Sequence, residues 1–255
     1  MRCQSKMRAP WEIYDRLIED IDPSVKVINA IEGSHYSEIT SSENSIGRGM
    51  PFEVESLPRA MTLPEMKGKP LRDVAVLVKS WNFIEASFGV AAINAWWGQK
   101  ERVSANGFKP MESLVFRELF DPYRNLVAGK KVGVIGHFPF ARQAMPEAEE
   151  ICILERKVQT GDYPDSACEY LLAQCDYVFI TGSAFVNKTM PRLLELCQNP
   201  YTIVVGPSAA CAPLLLEYGA DTILGFSSEP ALNPKAAKMG NGSMYGTRVI
   251  LQRAD

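Results

Sequence analysis

Histidine is nearly absent from this chain. Its 255 residues include only two, His35 and His137, so a transition-metal site built solely from Cys and His is not expected. The six cysteines, Cys3, Cys152, Cys168, Cys175, Cys197 and Cys211, contain no C-x-x-C pair, which removes zinc ribbons and thioredoxin-type motifs. Four of them, Cys152, Cys168, Cys175 and Cys197, sit in apolar stretches that suit buried thiols. Metal held by oxygen ligands, or carried in by a substrate, stays open. An excess of charge of one sign is also missing. Twenty-seven basic against 30 acidic side chains give a formal charge of -3, which argues against a basic nucleic-acid binder. No apolar run reaches the roughly 18–20 residues of a membrane span. Phe88–Trp97 is too short and carries Asn94. Met1–Pro10 has basic residues with no apolar run behind them, so no secretory signal is read there. The expectation is a cytoplasmic protein with neither membrane nor nucleic-acid partners.

What is present is ordinary globular material, 46% hydrophobic and 22% charged, with ample apolar surface for a core. In the second half, short β-rich runs alternate with helical segments. The runs are Lys131–Gly136, Ile151–Leu154, Tyr177–Thr181, Tyr201–Gly206 and Thr222–Phe226. They lack polar alternation, as strands covered on both faces do. Helices are expected over Asp165–Gln174, Lys188–Cys197 and Pro213–Tyr218, and Tyr245–Gln252 reads as a last strand, with an edge position one option. This alternation implies an α/β, doubly wound, mostly parallel sheet. The first half is less regular. Trp11–Ile21 has helical apolar spacing, Val25–Ile31 and Glu38–Thr40 can pair as antiparallel strands, and Ser41–Pro70 reads mostly as loop. Leu71–Trp97 reads as one long helix, or two joined near Gly89. The division expected is a smaller α+β domain over residues 1–125 and the sheet domain over residues 126–255.

In such a sheet, ligands bind beyond the carboxyl ends of the strands. The residues there are Gly136, His137, Phe138 and Pro139; Glu155, Gly161 and Asp162; Thr181, Gly182, Ser183, Asn187, Lys188 and Thr189; and Gly206, Pro207 and Ser208. Small polar residues also favour such turns for purely structural reasons. The dinucleotide fingerprint G-x-G-x-x-G is missing, since bulky Phe138 and Pro139 follow Gly136 where close approach to a pyrophosphate wants glycine. Glu155 is placed as a ribose-binding acid would be. Gly182 to Thr189 has the spacing of a phosphate-cradling G-x-x-x-x-G-K-T loop, with Asn187 in place of the second glycine. The reading is an anion-binding turn in which Lys188 supplies charge. In the first half, Asn82 and Glu85 share one face of an apolar helix. A buried carboxylate there can serve as a general acid or base, or as a plain salt-bridge partner. His137 can move protons at neutral pH, although a lone histidine is more often structural. Cys211 is read as a small buried residue.

The runs VGVIGHFPF, ILERKVQTGDYPDSA, TGSAFVNKTMPRLLEL and VVGPSAACAPLLLEYGAD together resemble the putative heavy-metal chelation domain family, which has a Rossmann-like domain. LVKSWNFIEASFGVAAINAWW resembles the domain that precedes it, similar in fold to the amino-terminal domain of enolase. The family has no established reaction. The resemblance implies a ligand site in the cleft between the domains, and condensation or hydrolysis in making flavin-, pterin- or siderophore-like metal chelators. It maps onto Asn82 and Glu85, Gly136–Pro139, Glu155, Gly161, Asp162, the Asn187–Thr189 turn and Gly206–Ser208. Relatives commonly continue the last motif with Thr-Pro, whereas this chain has Ala209 and Ala210. The expectation carried forward is a small anionic or metal-chelating ligand, with Glu85 for proton transfer, Asn82 orienting ligand and Lys188 holding charge. Two alternatives stand beside it, a non-enzymatic metal-chelate binding protein and an S-adenosylmethionine-dependent methyltransferase. A homodimer is the expected assembly.

Overall fold

The computed structural model describes residues 9–55, 57–111, 119–228 and 246–254. The first half opens with helix α1 (Glu12–Glu19), followed by strands β1 (Val27–Glu32), β2 (Ser37–Ser41) and β3 (Ile46–Gly49). Short helices α2 (Leu63–Met66) and α3 (Leu71–Ala75) lead to the long α4 (Phe83–Trp97), and then to α5 (Lys100–Ala105) and the brief strand β4 (Lys109–Pro110). In the second half come β5 (Lys131–Ile135), α6 (Ala141–Ala144), β6 (Glu150–Glu155), β7 (Tyr163–Pro164), α7 (Cys168–Leu171) and β8 (Tyr177–Thr181). It closes with α8 (Met190–Leu196), β9 (Tyr201–Val205), α9 (Leu214–Glu217), β10 (Thr222–Ser227) and β11 (Thr247–Gln252).

Two sheets result. The small one is antiparallel, in the order β1-β2-β3. The large one has eight strands in the order β4-β11-β10-β9-β8-β5-β6-β7. From β10 to β7 every pairing is parallel, while β11 and β4 join antiparallel at one edge. The strand order reverses between β5 and β8, and a ligand crevice forms at such a switch point. Alternate residues of each central strand enter separate cores. Val132 and Val134 of β5 pack with Phe179 and Ile203 on one face, while Ile135, Val178, Ile180 and Val204 pack on the other. That second core also contains Tyr14, Leu17, Val78, Phe88 and Ile93, so the two halves share one apolar interior. Tyr14 lies edge-on to Phe185 and its hydroxyl donates to the Phe185 carbonyl at 3.2 Å.

Helix α4 is apolar nearly all round and is buried accordingly. The small sheet covers one side through β3, where Gly47 and Gly49 bring backbone against backbone. A Cβ on Gly49 would stand 2.0 Å from the Ser87 carbonyl oxygen, and one on Gly47 2.0 Å from that of Ala91. These glycines carry no hydrophobic signal, which is why β3 is hidden within the stretch that reads as loop. The break in Leu71–Trp97 falls at Ser80–Asn82, not at Gly89. Asn82 caps α4, its side chain accepting the Glu85 amide. Gly89 lies inside the helix, where glycine is required because a Cβ would stand 1.9 Å from the Val78 nitrogen. The expected Asp165–Gln174 helix is one α-helical turn flanked by 3-10 turns. Tyr245, the first residue of the expected last strand, lies outside the described residues.

Candidate functional site

A cleft of about 980 Å³ opens beyond the carboxyl ends of β5, β6, β8 and β9. Its volume is at the upper end of small-molecule sites. Gly136, His137, Phe138, Pro139, Glu155, Thr181, Ser183, Asn187, Thr189, Gly206, Pro207 and Ser208 all line it, so the structure gathers most of the residues expected at the strand ends around one cleft. The facing wall comes from the first half, through Tyr36, Phe83 and Met50–Val54. That wall was missed in the sequence, because it lies in the Gly- and Pro-rich stretch without periodicity. Its signal was the lone Phe52 beside Pro51. Apolar groups dominate the sides, including Phe52, Phe83, Ile135, Phe138 and Leu154. Phe138 is held by edge-on contacts to Phe120 and Phe140 at 5.6 and 6.1 Å between ring centres.

The floor is tied to the wall. Met50 donates its amide to Ser208 Oγ at 2.9 Å, and outside the cleft lining Ile46 donates to Ser228 Oγ at 2.5 Å. Asn94 of α4 donates to the Arg48 carbonyl at 2.8 Å and the Pro207 carbonyl at 3.4 Å. Gly182 meets the facing turn so closely that a Cβ would stand 2.1 Å from the Ala209 nitrogen. Gly206, by contrast, has φ +102 with open space where a Cβ would be, so its backbone faces the cleft unobstructed.

The polar groups are arranged by main-chain contacts. Glu155 accepts the His137 amide through Oε2 at 2.8 Å, and those of Arg156 and Lys157 through Oε1 at 2.6 and 3.2 Å. Both carboxylate oxygens therefore serve to join the two turns. His137 Nδ1 is 2.8 Å from Asp162 Oδ2, and Asp162 also accepts the Gln159 amide at 3.2 Å. Thr181 and Ser183 hydroxyls pair at 3.0 Å, and Thr189 donates to Asn187 Oδ1 at 2.6 Å. The rim cations Arg156 and Arg192 are paired with Asp165 and Glu169.

Asn82, Glu85 and Lys188 are close together but do not line the cleft. Asn82 Nδ2 donates to the Leu57 carbonyl at 2.9 Å, so its amide holds the incoming loop as well as the helix end. Glu85 is buried, and its Oε1 accepts the amides of Ala60 and Met61 at 2.6 and 2.9 Å. Lys188, not Asn187, takes the left-handed backbone conformation, with φ 67. Its ammonium donates to the Val186 carbonyl at 2.7 Å and lies 4.8 Å from the centre of the Phe83 ring. Burial lowers the Lys188 pKa to about 7, and the negative charge of Glu85 opposes this. Gly182 and Gly161 shape the turns without lining the cleft. Cys211 is buried as expected, and burial raises its thiol to about 12.

Among the described residues no group of three or more His, Cys, Asp or Glu side chains could hold a metal ion. No described helix is long and apolar enough to cross a membrane.

Comparison with known proteins gives a consistent picture. Residues 118–240 match the DUF364 family model and residues 14–97 the DUF4213 model, both described as "Putative heavy-metal chelation". An uncharacterized protein of Methanocaldococcus jannaschii is 28% identical over 218 residues, 81% of each chain. A DUF364 protein of unknown function from Pyrococcus horikoshii shares the fold, with a TM-score of 0.74 at 19% identity over 96% of this chain and 99% of its own. A DUF364 protein of unknown function from Desulfitobacterium hafniense aligns with a TM-score of 0.82 and 36% identity, covering 95% of this chain and 98% of its own. Two matching models, a mostly parallel sheet joined to a small antiparallel one, and this last likeness show that the chain belongs to the DUF364 family.

Proposed function

We propose that this protein binds a small organic molecule of the metal-chelating class in the cleft between its two sheets, taking metal as part of that molecule. The observation that carries this reading is the cleft itself, with apolar, partly aromatic walls and a floor of hydroxyl groups and turn backbone. Such a site suits a flat conjugated body with a polar edge, as in pterin-, flavin- or siderophore-type chelators. A metal held mainly by the ligand needs few donors from the protein. The family description of heavy-metal chelation supports the same class.

The test is native mass spectrometry with elemental analysis on untagged protein purified without chelators, followed by thermal-shift screening of chelator-class compounds. Retention of an organic molecule, or stabilisation by such a compound, is expected. At about 100 times Kd a ligand adds about 2.7 kcal/mol. For a chain of this size that raises Tm by roughly 5–10 °C. Phe52→Ala and Thr181→Val should weaken the effect, since both residues line the cleft. No retained molecule, with no stabilisation by any chelator-class compound, would overturn the reading.

A further inference from the structure

We propose that His137 is the proton-accepting group of this cleft, a base whose reactive atom is Nε2 and whose ring is positioned by Asp162. The inference rests on the cleft being a small-molecule site, and it adds chemistry to binding. Three observations carry it. His137 lines the cleft and keeps about a quarter of its side chain exposed, at 24%. Asp162 is almost completely enclosed, with 3% side-chain exposure, and its Oδ2 lies 2.8 Å from His137 Nδ1. The only ring hydrogen bond to a described residue is the one at Nδ1.

An ionised carboxylate accepts hydrogen bonds only, so Asp162 requires the proton on Nδ1. The lone pair of the neutral ring is then on Nε2, the nitrogen that no described residue engages. The main chain fixes both partners. Glu155 Oε2 accepts the His137 amide, and the Gln159 amide donates to the same Asp162 oxygen that meets the ring. Arg142 donates to the Gly161 carbonyl at 3.0 Å, holding the turn that presents Asp162. In the step this permits, Nε2 takes a proton from an O–H or N–H of the bound molecule, or from a water beside it. The ring becomes imidazolium, its charge faces the Asp162 carboxylate, and the electron pair left on oxygen or nitrogen becomes the nucleophile. His137 is the catalytic residue in this scheme and Asp162 the positioning residue.

The presence of only two histidines makes the test clean. In His35→Gln protein the single remaining imidazole is His137. Long-range proton–nitrogen NMR on that protein should show the Nδ1–H tautomer at neutral pH. The probe of reactivity is diethyl pyrocarbonate. Nε2 attacks one of its carbonyl carbons, an N–C bond forms, and the departing ethyl carbonate breaks down to carbon dioxide and ethanol. Modification should be confined to Nε2, and Asp162→Asn should slow it by about tenfold or more. Asparagine can still accept the Gln159 amide, but it no longer requires the proton on Nδ1. Finding the Nε2–H tautomer in His35→Gln protein, or reactivity unchanged in folded Asp162→Asn, would overturn the proposal. The tautomer needs no change at Asp162, so it decides the matter even if Asp162→Asn fails to fold. A cleft that retains no molecule and gains no stability from any chelator-class compound, beside a reactive Nδ1–H His137, would remove the binding reading alone, while a retained ligand beside an Nε2–H ring would remove this one alone.

Discussion

Replacing Asn82 by alanine separates two roles that one side chain can have. Its Oδ1 accepts the Glu85 amide at 3.1 Å as the cap of α4, and its Nδ2 donates to the Leu57 carbonyl at 2.9 Å. The residue is 1% exposed, so water does not easily replace either partner. Loss of a cap costs about 1 kcal/mol. Loss of a buried hydrogen bond that strands its partner costs about 1–2 kcal/mol more. Asn82→Ala should therefore lose roughly 2–3 kcal/mol, or roughly 5–10 °C in Tm for a chain of this size. Asn82→Asp keeps the cap acceptor, loses the donor and brings a second carboxylate toward Glu55, so it should also destabilise. Urea unfolding gives the free energy, and calorimetry the Tm. A change below about 0.5 kcal/mol in Asn82→Ala, together with lost binding of a cleft ligand, would refute the scaffold argument. It would instead assign Asn82 to the ligand.

Three further outcomes are expected. Gly49→Ala puts a Cβ 2.0 Å from the Ser87 carbonyl and must push β3 off α4, costing about 2–4 kcal/mol in urea unfolding. Lys188→Met should raise Tm most at low pH. The folded amine holds its proton only up to about 7 and the unfolded one to 10.5, so the penalty is full below 7 and fades as pH rises to 10.5; calorimetry at about pH 6 and about pH 9 checks the sign. Ser208→Ala removes the acceptor of the Met50 amide, and hydrogen exchange at that amide should speed up by roughly fivefold to tenfold, reflecting about 1 kcal/mol.

The large sheet was legible because its central strands are uninterrupted apolar runs bounded by Gly136, Thr181 and Gly206, a pattern set by burial on both faces. The rim followed from the same pattern, since strand ends define where a ligand can sit. The small sheet was only half legible. Ile39 announces β2, but β3 is built on Gly47 and Gly49, whose value is the absence of a side chain. The Phe52 wall depends on where β3 delivers the chain, which no local periodicity records. Lys188 was legible as a cation beside a turn, but not as one drawn toward Phe83. The His137–Asp162 pair joins two loops 25 residues apart, and only the register of β5 with β6 brings them together.

The interior shared by the two halves bears on how this architecture can change over generations. Two separate family models cover residues 14–97 and 118–240, as if the chain were a pair of exchangeable cassettes. Yet Tyr14 is buried against Phe185, and α4 packs into the core that also holds β8 and β9. Neither cassette has a finished surface of its own along this seam. A hybrid of one relative's first segment with another's second would meet mismatched side chains there, and it would need compensating changes on both sides. Substitutions at Tyr14 and Phe185 should accordingly rescue one another in a double-mutant cycle. The pocket floor and its wall are thus bound to change as one inherited unit, so selection for a new ligand has the rim side chains to work with before the frame.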